Sequence, residues 1–389
     1  MAAIPLRLVN EPDRLMAFPD AEALLAADIA AGQCRVLAGA ARRASEFPAN
    51  PIGRIGGPCA PEWCTPDQQI ALYDVRLFRL RGGYVLPRLG VVMSPDGGVM
   101  EHSWREAAFV LGTPAVLPGA IAAPQGAVFS PPRSVEKLGR AIVTLPWGGV
   151  TNYGHFLLDC MPAVAQCRDM PALRGHRFMF PPLTHWQKRH LELAGLADYD
   201  ELPGEIYWAD EILWTSCLDH FMHWPNDNLN LLAELATRLH RAAEPVAAGK
   251  LYISRQGDAK RLFPQETALE AALMRRGFAV VRPERLAIDE QIALFRGARA
   301  VVGCTGAGFA NCIFCRPGAR LVEVQPTQLQ GIWVRNLAAL RRLSWNPYFC
   351  AAAPAAAATV IGGAARPEFG ITIDLDIENF LAFLDAVGV

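Results

Sequence analysis

The pattern of hydrophobic and polar positions along the chain changes near residue 139. From there on, short runs of β-branched and apolar residues alternate with longer stretches that are apolar on one face only. RAIVTLP and HRFMFP fit strands, whereas GHFLLDCMPAVAQC and THWQKRHLELAG fit helices. Because strands that alternate with helices form parallel sheets, this pattern predicts an α/β fold.

The second half of the chain repeats the alternation more regularly. Four strand-and-helix pairs follow one another: KLYISR with QETALEAALMRRG, FAVVRP with DEQIALFRGA, RAVVGC with GFANCIFC, and ARLVEVQP with LQGIWVRNLAALRR. Four such pairs with short connections predict one doubly wound domain. Two Rossmann-like domains that face each other would form a cleft, and clefts between domains are common ligand sites.

The two ends of the chain have different patterns. The N-terminal part is rich in proline and glycine, and its runs YDVRLFRL and GYVLPRLGVVM, separated by RGG and followed by the turn sequence SPDGG, predict β-structure. Near residue 350, CAAAPAAAATVIGGAA is interpreted as a linker, and IDLDIENFLAFLDAVGV as an amphipathic helix. The predicted organisation is a β-rich region at 1–135, Rossmann-like domains at 136–245 and 246–350, and a linker with a C-terminal helix at 351–389.

Composition narrows the class of protein. With 37 basic and 38 acidic residues the net charge is −1, so no overall field attracts nucleic acid, and any anionic ligand has to be held locally. The 10 cysteines are scattered rather than spaced as a disulfide framework, which favours a reducing compartment. MAAIPLRLVNEPDRL lacks the pattern of a signal peptide, and no apolar run reaches the roughly 18 residues of a membrane-spanning helix. We expect a cytoplasmic protein, and peripheral attachment to the inner face of a membrane stays open.

The turn Gly306-Ala307-Gly308 follows the predicted strand RAVVGC. Ligands of a doubly wound sheet bind beyond the carboxyl ends of its strands, where this turn falls. Glycine lets the backbone approach a ligand closely, and the N–H groups of a first helical turn attract anions. Arg255 ends the predicted strand KLYISR, and Lys260 and Arg261 lie in the loop after it, on the same edge. The sequence therefore predicts a phosphate site here; the alternative is a tight turn beside solvated cations.

Two glutamates extend this pattern. Glu284 follows the predicted strand FAVVRP, at the depth where a ribose or base would lie if phosphates sit at Gly306. Glu323 lies on the strand after the glycine-turn helix, where its carboxylate could accept both ribose hydroxyl protons. The alternative for Glu323 is an ion pair with an arginine such as Arg320.

The stretch TNYGHFLLDCMPAV carries a second candidate site, at the carboxyl end of the first strand of the other domain. His155 and Asp159 are four residues apart and therefore share one helical face, with Asn152 just before the helix. A carboxylate one turn away can hold an imidazole in one tautomer and raise its basicity, as a general base requires. Pro162 removes a backbone hydrogen bond and is expected to kink the helix. The alternative is a purely structural pair at the start of a helix.

No metal site is predicted. Cys312 and Cys315 have the spacing of zinc ligands, but they lie in an apolar run without a second pair, so core cysteines are the default interpretation. HWQKRH, from His185 to His190, lacks a carboxylate-histidine pattern that specifies a metal, and is interpreted as surface or packing.

Four segments together resemble a known family. TNYGHFLLDCMP, LYISRQGDAKR, RPERLAIDEQIALFRGARAVVG and TGAGFANCIFCRPGARLVEVQP, in this order and spacing, resemble the family 61 glycosyltransferases, including the capsular polysaccharide biosynthesis type. The resemblance covers about residues 139 to 345. It implies a GT-B-like fold of two Rossmann-like domains facing a cleft, an inverting mechanism, a nucleotide-sugar donor held mainly by the C-terminal domain, and no obligatory metal or other cofactor. Domain 136–245 is then the acceptor side.

The residue pattern and the resemblance together give the candidate site residues. The catalytic candidates are His155 and Asp159. The donor-binding candidates are Asn152, Arg255, Lys260, Arg261, Glu284, Thr305, Gly306, Ala307, Gly308, Asn311 and Glu323. The resemblance matches its motifs to Asn152, His155, Arg255, Glu284, Gly306, Ala307, Gly308, Asn311 and Glu323, whereas Asp159, Lys260 and Arg261 come from the pattern alone. The chain departs from the family at two positions, with Thr305 where many members have histidine and Ala163 where an arginine often follows the proline.

The sequence therefore predicts an inverting hexosyl- or pentosyltransferase that moves a sugar from a nucleoside-diphosphate sugar to a glycan or glycolipid acceptor in polysaccharide biosynthesis. Two alternatives stay open. Because both departures remove a cation, the chain could be an inactive sugar-nucleotide-binding partner of a polysaccharide assembly complex. A sugar-nucleotide epimerase on the same fold is the other.

Overall fold

The computed structural model describes residues 4–9, 39–42, 51–65, 75–124, 126–168, 170, 173–215, 249–257, 261–355, 360–361, 364–365 and 370–389. Lys260 lies outside these residues. The chain divides into two compact units. Unit 1 comprises Met1–Ala44 and Leu72–Leu235, and unit 2 comprises Ser45–Ala71 and Ala236–Val389. Both units are α/β, and the described residues form eight α-helices.

Unit 1 contains one large mixed sheet and one small sheet. Its strands are β1 (Ile4–Pro5), β2 (Arg7–Val9), β3 (Gly39–Arg42), β4 (Val75–Leu86), β5 (Val91–Met93), β6 (Gly98–Met100), β7 (Ala120–Ala123), β8 (Gly126–Phe129), β9 (Lys137–Val143), β10 (Arg177–Phe180), β11 (Tyr199–Glu201) and β12 (Tyr207–Thr215). Its α-helices are α1 (Glu101–Leu111), α2 (Tyr153–His155), α3 (Met161–Arg168) and α4 (His185–Leu193), and a π-helical turn at Phe156–Cys160 joins α2 to α3.

The large sheet of unit 1 contains strands from two regions, 1–135 and 136–245, that the sequence analysis predicted to be separate. Its order is β11-β10-β9-β12-β4-β5-β6-β2, with β3 also paired to β4. The four strands β11, β10, β9 and β12 are parallel, as the alternating pattern predicts, and β4 pairs with β12 in the antiparallel sense. The predicted regions 1–135 and 136–245 thus contribute strands to one sheet. Strands β1, β8 and β7 form a separate small sheet.

The sequence RGG was expected to separate two strands, and this expectation is wrong. Strand β4 runs through it without interruption from Val75 to Leu86. Gly83 is required for a different reason, since a Cβ there would lie 2.7 Å from the carbonyl oxygen of Met93. The glycines thus allow a close approach between neighbouring strands. The turn predicted at SPDGG is present, with Ser94 N–H donating to the Gly98 carbonyl at 2.7 Å.

Unit 2 contains the regular part of the fold. Its strands are β13 (Gly249–Ile253), β14 (Arg261–Leu262), β15 (Phe278–Val281), β16 (Ala298–Cys304), β17 (Arg320–Pro326), β18 (Ser344–Pro354), β19 (Val360–Ile361), β20 (Ala364–Ala365) and β21 (Ile371–Asp374). Its α-helices are α5 (Glu266–Arg275), α6 (Ile288–Gly297), α7 (Trp333–Arg341) and α8 (Ile377–Ala386). Phe380 and Leu384 of α8 are buried in the core of this unit.

The strand order of unit 2 is β14-β21-β18-β17-β16-β13-β15. Strands β15, β13, β16, β17 and β18 are parallel. In chain order these five strands read second, first, third, fourth and fifth, so the direction of winding reverses between β13 and β16. In open α/β sheets such a reversal leaves a crevice at the carboxyl ends of the two strands.

The alanine-rich stretch near residue 350 is not simply a linker. Strand β18 continues to Pro354, and its residues Ala351–Pro354 pair with β21 in the antiparallel sense. Strand β21 in turn pairs with β14, where Arg261 lies opposite Ile371. The small alanine side chains fit a strand as well as a loop, so composition alone did not reveal this extension. Because β18 pairs with β21 and β21 pairs with β14, this extension fixes the position of Arg261 at the edge of the sheet.

A segment of unit 2 that is far in sequence from the rest of the unit pairs with β18. Gly53 N–H donates to the Trp345 carbonyl at 2.8 Å, and Phe349 N–H donates to the Gly56 carbonyl at 2.9 Å. Residues 51–59 therefore run along β18 as an added parallel strand. At Gly57 the backbone has a φ of 87°, and a Cβ there would lie 2.0 Å from the carbonyl oxygen of Phe349.

Replacing Gly57 by alanine is expected to destabilise unit 2. The matched control is Gly318→Ala, because Gly318 has nearly the same φ of 86° but a Cβ there meets nothing within 4 Å. Both variants carry the cost of a left-handed L-residue, and only Gly57→Ala adds a backbone clash. We expect Gly57→Ala to lower the free energy of unfolding by about 1 to 3 kcal/mol more than the control, as measured by urea denaturation. Equal midpoints would contradict the pairing of residues 51–59 with β18.

Candidate functional site

The end of β13 is held by two buried carboxylates on α5. The backbone N–H of Arg255 donates to Glu266 Oε1 at 2.6 Å, and the Tyr252 hydroxyl donates to the same oxygen at 3.0 Å. Ser254 Oγ donates to Glu270 Oε1 at 2.5 Å. Burial raises the pKa of Glu266, against the opposing effect of its hydrogen bonds. These contacts fix the backbone from which the Arg255 side chain projects.

Two guanidinium groups meet at the carboxyl end of β16. Arg255 Nη1 donates to the Thr305 carbonyl oxygen at 3.2 Å, and Arg261 Nη1 donates to the same oxygen. A Cβ on Gly306 would lie 2.1 Å from Arg255 Nη1 and 2.7 Å from Arg261 Nη1. Only glycine thus lets both cations lie directly on the turn. This is the point between β13 and β16 where the strand order reverses.

The segment after the turn is a 3-10 helix, Ala307–Phe314, rather than an α-helix. Gly308 packs on β13, since a Cβ there would lie 3.0 Å from Ile253 Cγ2. Asn311 is fully buried, and its Nδ2 donates to Gln291 Oε1 on α6 at 2.9 Å. Asn311 therefore lies in the core, where it ties the 3-10 helix to α6, rather than on the surface of the turn.

Glu323 lies behind the turn and is completely buried. Its Oε2 accepts hydrogen bonds from Trp345 Nε1 at 2.8 Å and from Gln325 Nε2 at 2.9 Å. Burial raises the pKa of Glu323 to about 7, although its hydrogen bonds and the charge of Arg261 act in the opposite direction. The suggested ion pair with Arg320 is not present, because Arg320 Nη1 donates to the Gly388 carbonyl at 2.6 Å.

Sequence reasoning missed the role of Gln325, which also holds the loop after β17. Its Nε2 donates to the Gly331 carbonyl at 2.8 Å, and its Oε1 accepts from the Gly331 N–H at 3.1 Å. The signal was available, because Glu323 and Gln325 are the two polar residues in the otherwise apolar run LVEVQP. Such residues in a buried strand need partners.

The carboxyl end of β15 borders the same region. Glu284 lies in the 3-10 turn Pro283–Arg285 and is exposed, while Pro283 faces Gly308 at 3.8 Å from the position of an added Cβ. Arg282, which sequence reasoning did not single out, donates from Nε to Ser254 Oγ at 3.4 Å. A third cation therefore stands beside the end of β13.

In unit 1, the histidine and aspartate form the contact that their spacing predicts. His155 Nδ1 lies 2.8 Å from Asp159 Oδ2, and the two side chains are 13% and 1% exposed. Asn152 caps the helix start, since its Oδ1 accepts from Gly154 N–H at 2.8 Å and from His155 N–H at 3.4 Å. With Nδ1–H donated to the carboxylate, the neutral imidazole keeps its lone pair on Nε2.

The helix is distorted between these residues. The π-helical turn Phe156–Cys160 ends where Met161 N–H donates to the Phe156 carbonyl, five residues back. Pro162, which has no N–H to donate, follows at once. Single π-turns inside α-helices are frequent at functional sites. Ala163 is fully buried, so the position of the missing arginine faces the core in this chain.

Helix α4 supports the segment that precedes His155. Gln187 Nε2 donates to the carbonyls of Gly149 at 3.0 Å and Val150 at 3.2 Å. His190 is fully buried, with its ring 5.6 Å from that of Tyr153 and 6.1 Å from that of Phe156. His190 thus belongs to the packing beneath the site.

A comparison with known families matches a segment that includes the glycine turn and the His155–Asp159 pair. Residues 153–322 match the family model described as Glycosyltransferase 61. The match supports assignment to glycosyltransferase family 61, and so supports a glycosyltransferase. The matched segment starts one residue after Asn152 and ends one residue before Glu323. No curated protein matches the chain.

Two cysteines of the matched segment, Cys312 and Cys315, behave as core residues. Cys312 and Cys315 are fully buried, and burial raises the pKa of the Cys312 thiol, with a hydrogen bond to Cys315 acting in the same direction. Protonated thiols are poor metal ligands. Within the ranges that the structure describes, no three His, Cys, Asp or Glu side chains are grouped to hold a metal ion. None of the helices in those ranges is long and apolar enough to span a membrane.

The buried Glu323 is expected to make stability depend on pH. Its folded pKa of about 7 lies above its ordinary value of 4.5, so the folded chain keeps a proton that the unfolded chain releases. The stability that this proton provides is complete below about pH 4.5 and is lost as the pH rises to about 7. The loss can reach about 3 kcal/mol, at ~1.4 kcal/mol per pKa unit.

Glu323→Gln keeps an oxygen that accepts from Trp345 and Gln325 but cannot ionise. Urea denaturation of both proteins between pH 5 and pH 8 should show the wild type losing more stability than the variant. The difference between the two curves isolates Glu323 from the other titrating groups. Parallel curves would contradict the raised pKa.

Proposed function

We propose that the chain is an inverting glycosyltransferase that transfers a hexose or pentose from a nucleoside-diphosphate sugar to a glycan or glycolipid acceptor in polysaccharide biosynthesis, of the capsular type. The proposal assumes the GT-B fold that the resemblance implies. It assigns donor binding to unit 2 and acceptor binding to unit 1. The observation that carries it is the meeting of Arg255 and Arg261 on the Thr305 carbonyl, against Gly306.

The diphosphate is the ligand that best suits this arrangement. Two positive charges share one neutral carbonyl oxygen, and a hydrogen bond to a neutral acceptor contributes roughly 0.5 to 1.5 kcal/mol. A bond from a guanidinium to a phosphate oxygen contributes roughly 1.5 to 3 kcal/mol and can be bidentate. A phosphate oxygen is therefore a stronger acceptor than the carbonyl for each of these two hydrogen bonds. The N–H groups at the start of the 3-10 helix add further donors.

The histidine pair supplies the base. In the proposed reaction, His155 Nε2 takes the proton of the acceptor hydroxyl, and Asp159 stabilises the imidazolium that forms. The hydroxyl oxygen bonds to the anomeric carbon from the side opposite the leaving group, and the bond to the diphosphate breaks. The diphosphate leaves with the electron pair and is stabilised by Arg255 and Arg261. Attack from the opposite side inverts the anomeric configuration.

The proposed location is the cytoplasm, at the inner face of the membrane where the acceptor is a glycolipid. All eight cysteines in the described part of the chain are free thiols, which suits a reducing compartment. The leaving group is assigned to arginines, so the proposal includes no obligatory metal or cofactor.

Arg255→Ala should strongly slow transfer. Loss of one guanidinium from the leaving group is expected to lower kcat by roughly 10²- to 10³-fold, as for other preorganised charge-stabilising donors. The variant should also lose the rise in melting temperature that nucleoside diphosphates give the wild type. Arg275→Ala is the matched control, because Arg275 is an exposed arginine on α5.

The outcomes separate the candidate functions. Near-normal turnover by Arg255→Ala would remove the assignment of the diphosphate. Nucleotide binding without turnover on a broad acceptor panel would favour the inactive binding partner. An altered sugar nucleotide formed from the donor alone would identify the epimerase.

His155→Ala and Asp159→Asn should lower turnover without weakening donor binding. Loss of a general base costs roughly 10²- to 10⁴-fold in kcat. Asp159→Asn keeps the shape of the side chain but removes the charge that stabilises the imidazolium. Transfer kinetics and nucleotide titrations on the same samples test this split, and a matching loss of nucleotide affinity would assign the pair to donor binding or to folding.

A further inference from the structure

One face of the unit 1 sheet carries a row of charged side chains. Strand register places Glu211 of β12 directly opposite Arg81 of β4 and Arg140 of β9. Arg79 lies two residues before Arg81 and therefore projects from the same face. A cavity of about 290 Å³ opens here, lined by Arg79, Arg81, Arg140, Asp210 and Glu211.

The floor of this cavity is a buried ion pair. Arg79 and Glu211 are 2% and 7% exposed, and Arg79 Nε donates to Glu211 Oε2 at 2.8 Å. His176 Nε2 lies 2.7 Å from the other oxygen, Oε1. Burial alone would raise the pKa of Glu211, but the hydrogen bonds and charges of His176 and Arg79 lower it to about 2. Both carboxylate oxygens are therefore occupied by these two partners.

The charges that line the cavity do not balance. The lining side chains comprise three guanidinium groups and two carboxylates. Arg140 and Asp210 are exposed and Arg81 is half-buried, so these side chains form the rim. The cavity is therefore positive overall, and its entrance is open to water.

The two faces of these strands differ in character. On the opposite face of the same strands, Phe78, Leu80, Ile212 and Trp214 form an apolar core. A buried ion pair is often no more stabilising than apolar residues of similar volume, because both charges lose their hydration. An anionic ligand could contact the guanidinium groups that line the cavity.

We propose that this cavity is a second ligand site, which binds a small oxyanion. Guanidinium groups bind phosphate and carboxylate oxygens in a planar, bidentate geometry. The volume of about 290 Å³ lies at the small end of the roughly 300 to 1,000 Å³ of ligand pockets, so the ligand is the size of a phosphate or of one acidic sugar. The site does not depend on the proposed transfer reaction.

The test is calorimetric titration of the full chain with inorganic phosphate, in an Arg255→Ala background that silences the glycine turn. Arg81→Gln with Arg140→Gln should weaken binding by about tenfold or more for each arginine, since each charge-assisted hydrogen bond contributes roughly 1.5 kcal/mol or more. Arg133→Gln, an exposed arginine of unit 1 outside the cavity, is the matched control and should bind as before.

Two further titrations distinguish the source of the oxyanion. Glucuronate that binds more tightly than phosphate, with neutral glucose not binding, indicates an acidic sugar; the reverse order indicates a phosphate group. Arg140→Gln alone, at an exposed position, replaces the double variant if the latter does not fold. Equal affinity of wild-type and variant cavities for both anions, or no binding at millimolar concentration, would overturn the proposal.

Discussion

The two guanidinium groups that meet on the Thr305 carbonyl are the interaction on which the proposed site depends. Each arginine reaches this oxygen by a different route: Arg255 from the end of β13, and Arg261 from β14 at the far end of the sheet order. The shared acceptor, and an anion when one binds, help to offset the repulsion between the two like charges. The lack of a side chain at Gly306 leaves the space that both groups occupy. The site is thus a property of the whole of unit 2.

The remainder of unit 2 can be understood as support for this meeting point. Glu266 fixes the backbone of Arg255, and the extension of β18 past the parallel sheet pairs with β21, which in turn holds Arg261. Residues 51–59 form backbone hydrogen bonds with the first part of β18, from Trp345 to Phe349. Behind the turn, Glu323 keeps its neighbours in place through Trp345 and Gln325. Burial raises the pKa of this carboxyl to about 7.

The sequence predicted helices and strands that depend on local patterns. It did not predict strand pairing or packing between segments that are distant in the chain. The four strand-and-helix pairs of unit 2 were readable because each repeats a short apolar period, and the Arg255 and Gly306 positions follow from parallel strands ending at one edge. The 3-10 form of the segment after Gly306, the strand through Gly82 and Gly83, and the strand made by Ala351–Pro354 were not. Each depends on a partner strand or packing surface far away in sequence. Glu323 was noticed as an oddity, but its partner Trp345 could be found only in the fold.

The two arginine clusters of the chain differ in what holds their cations, and this difference determines how each can act. Arg255 and Arg261 both donate to a neutral carbonyl, which is a weaker acceptor than a phosphate oxygen. Arg79 is locked to a buried carboxylate with a strongly lowered pKa, and separating that pair would leave an uncompensated charge in the sheet. In the unit 1 cavity, Arg79 therefore serves as a fixed floor, and ligand binding falls to the more exposed Arg81 and Arg140. Cations that must release and rebind a leaving group belong in the first kind of cluster, and cations that select a static anion belong in the second.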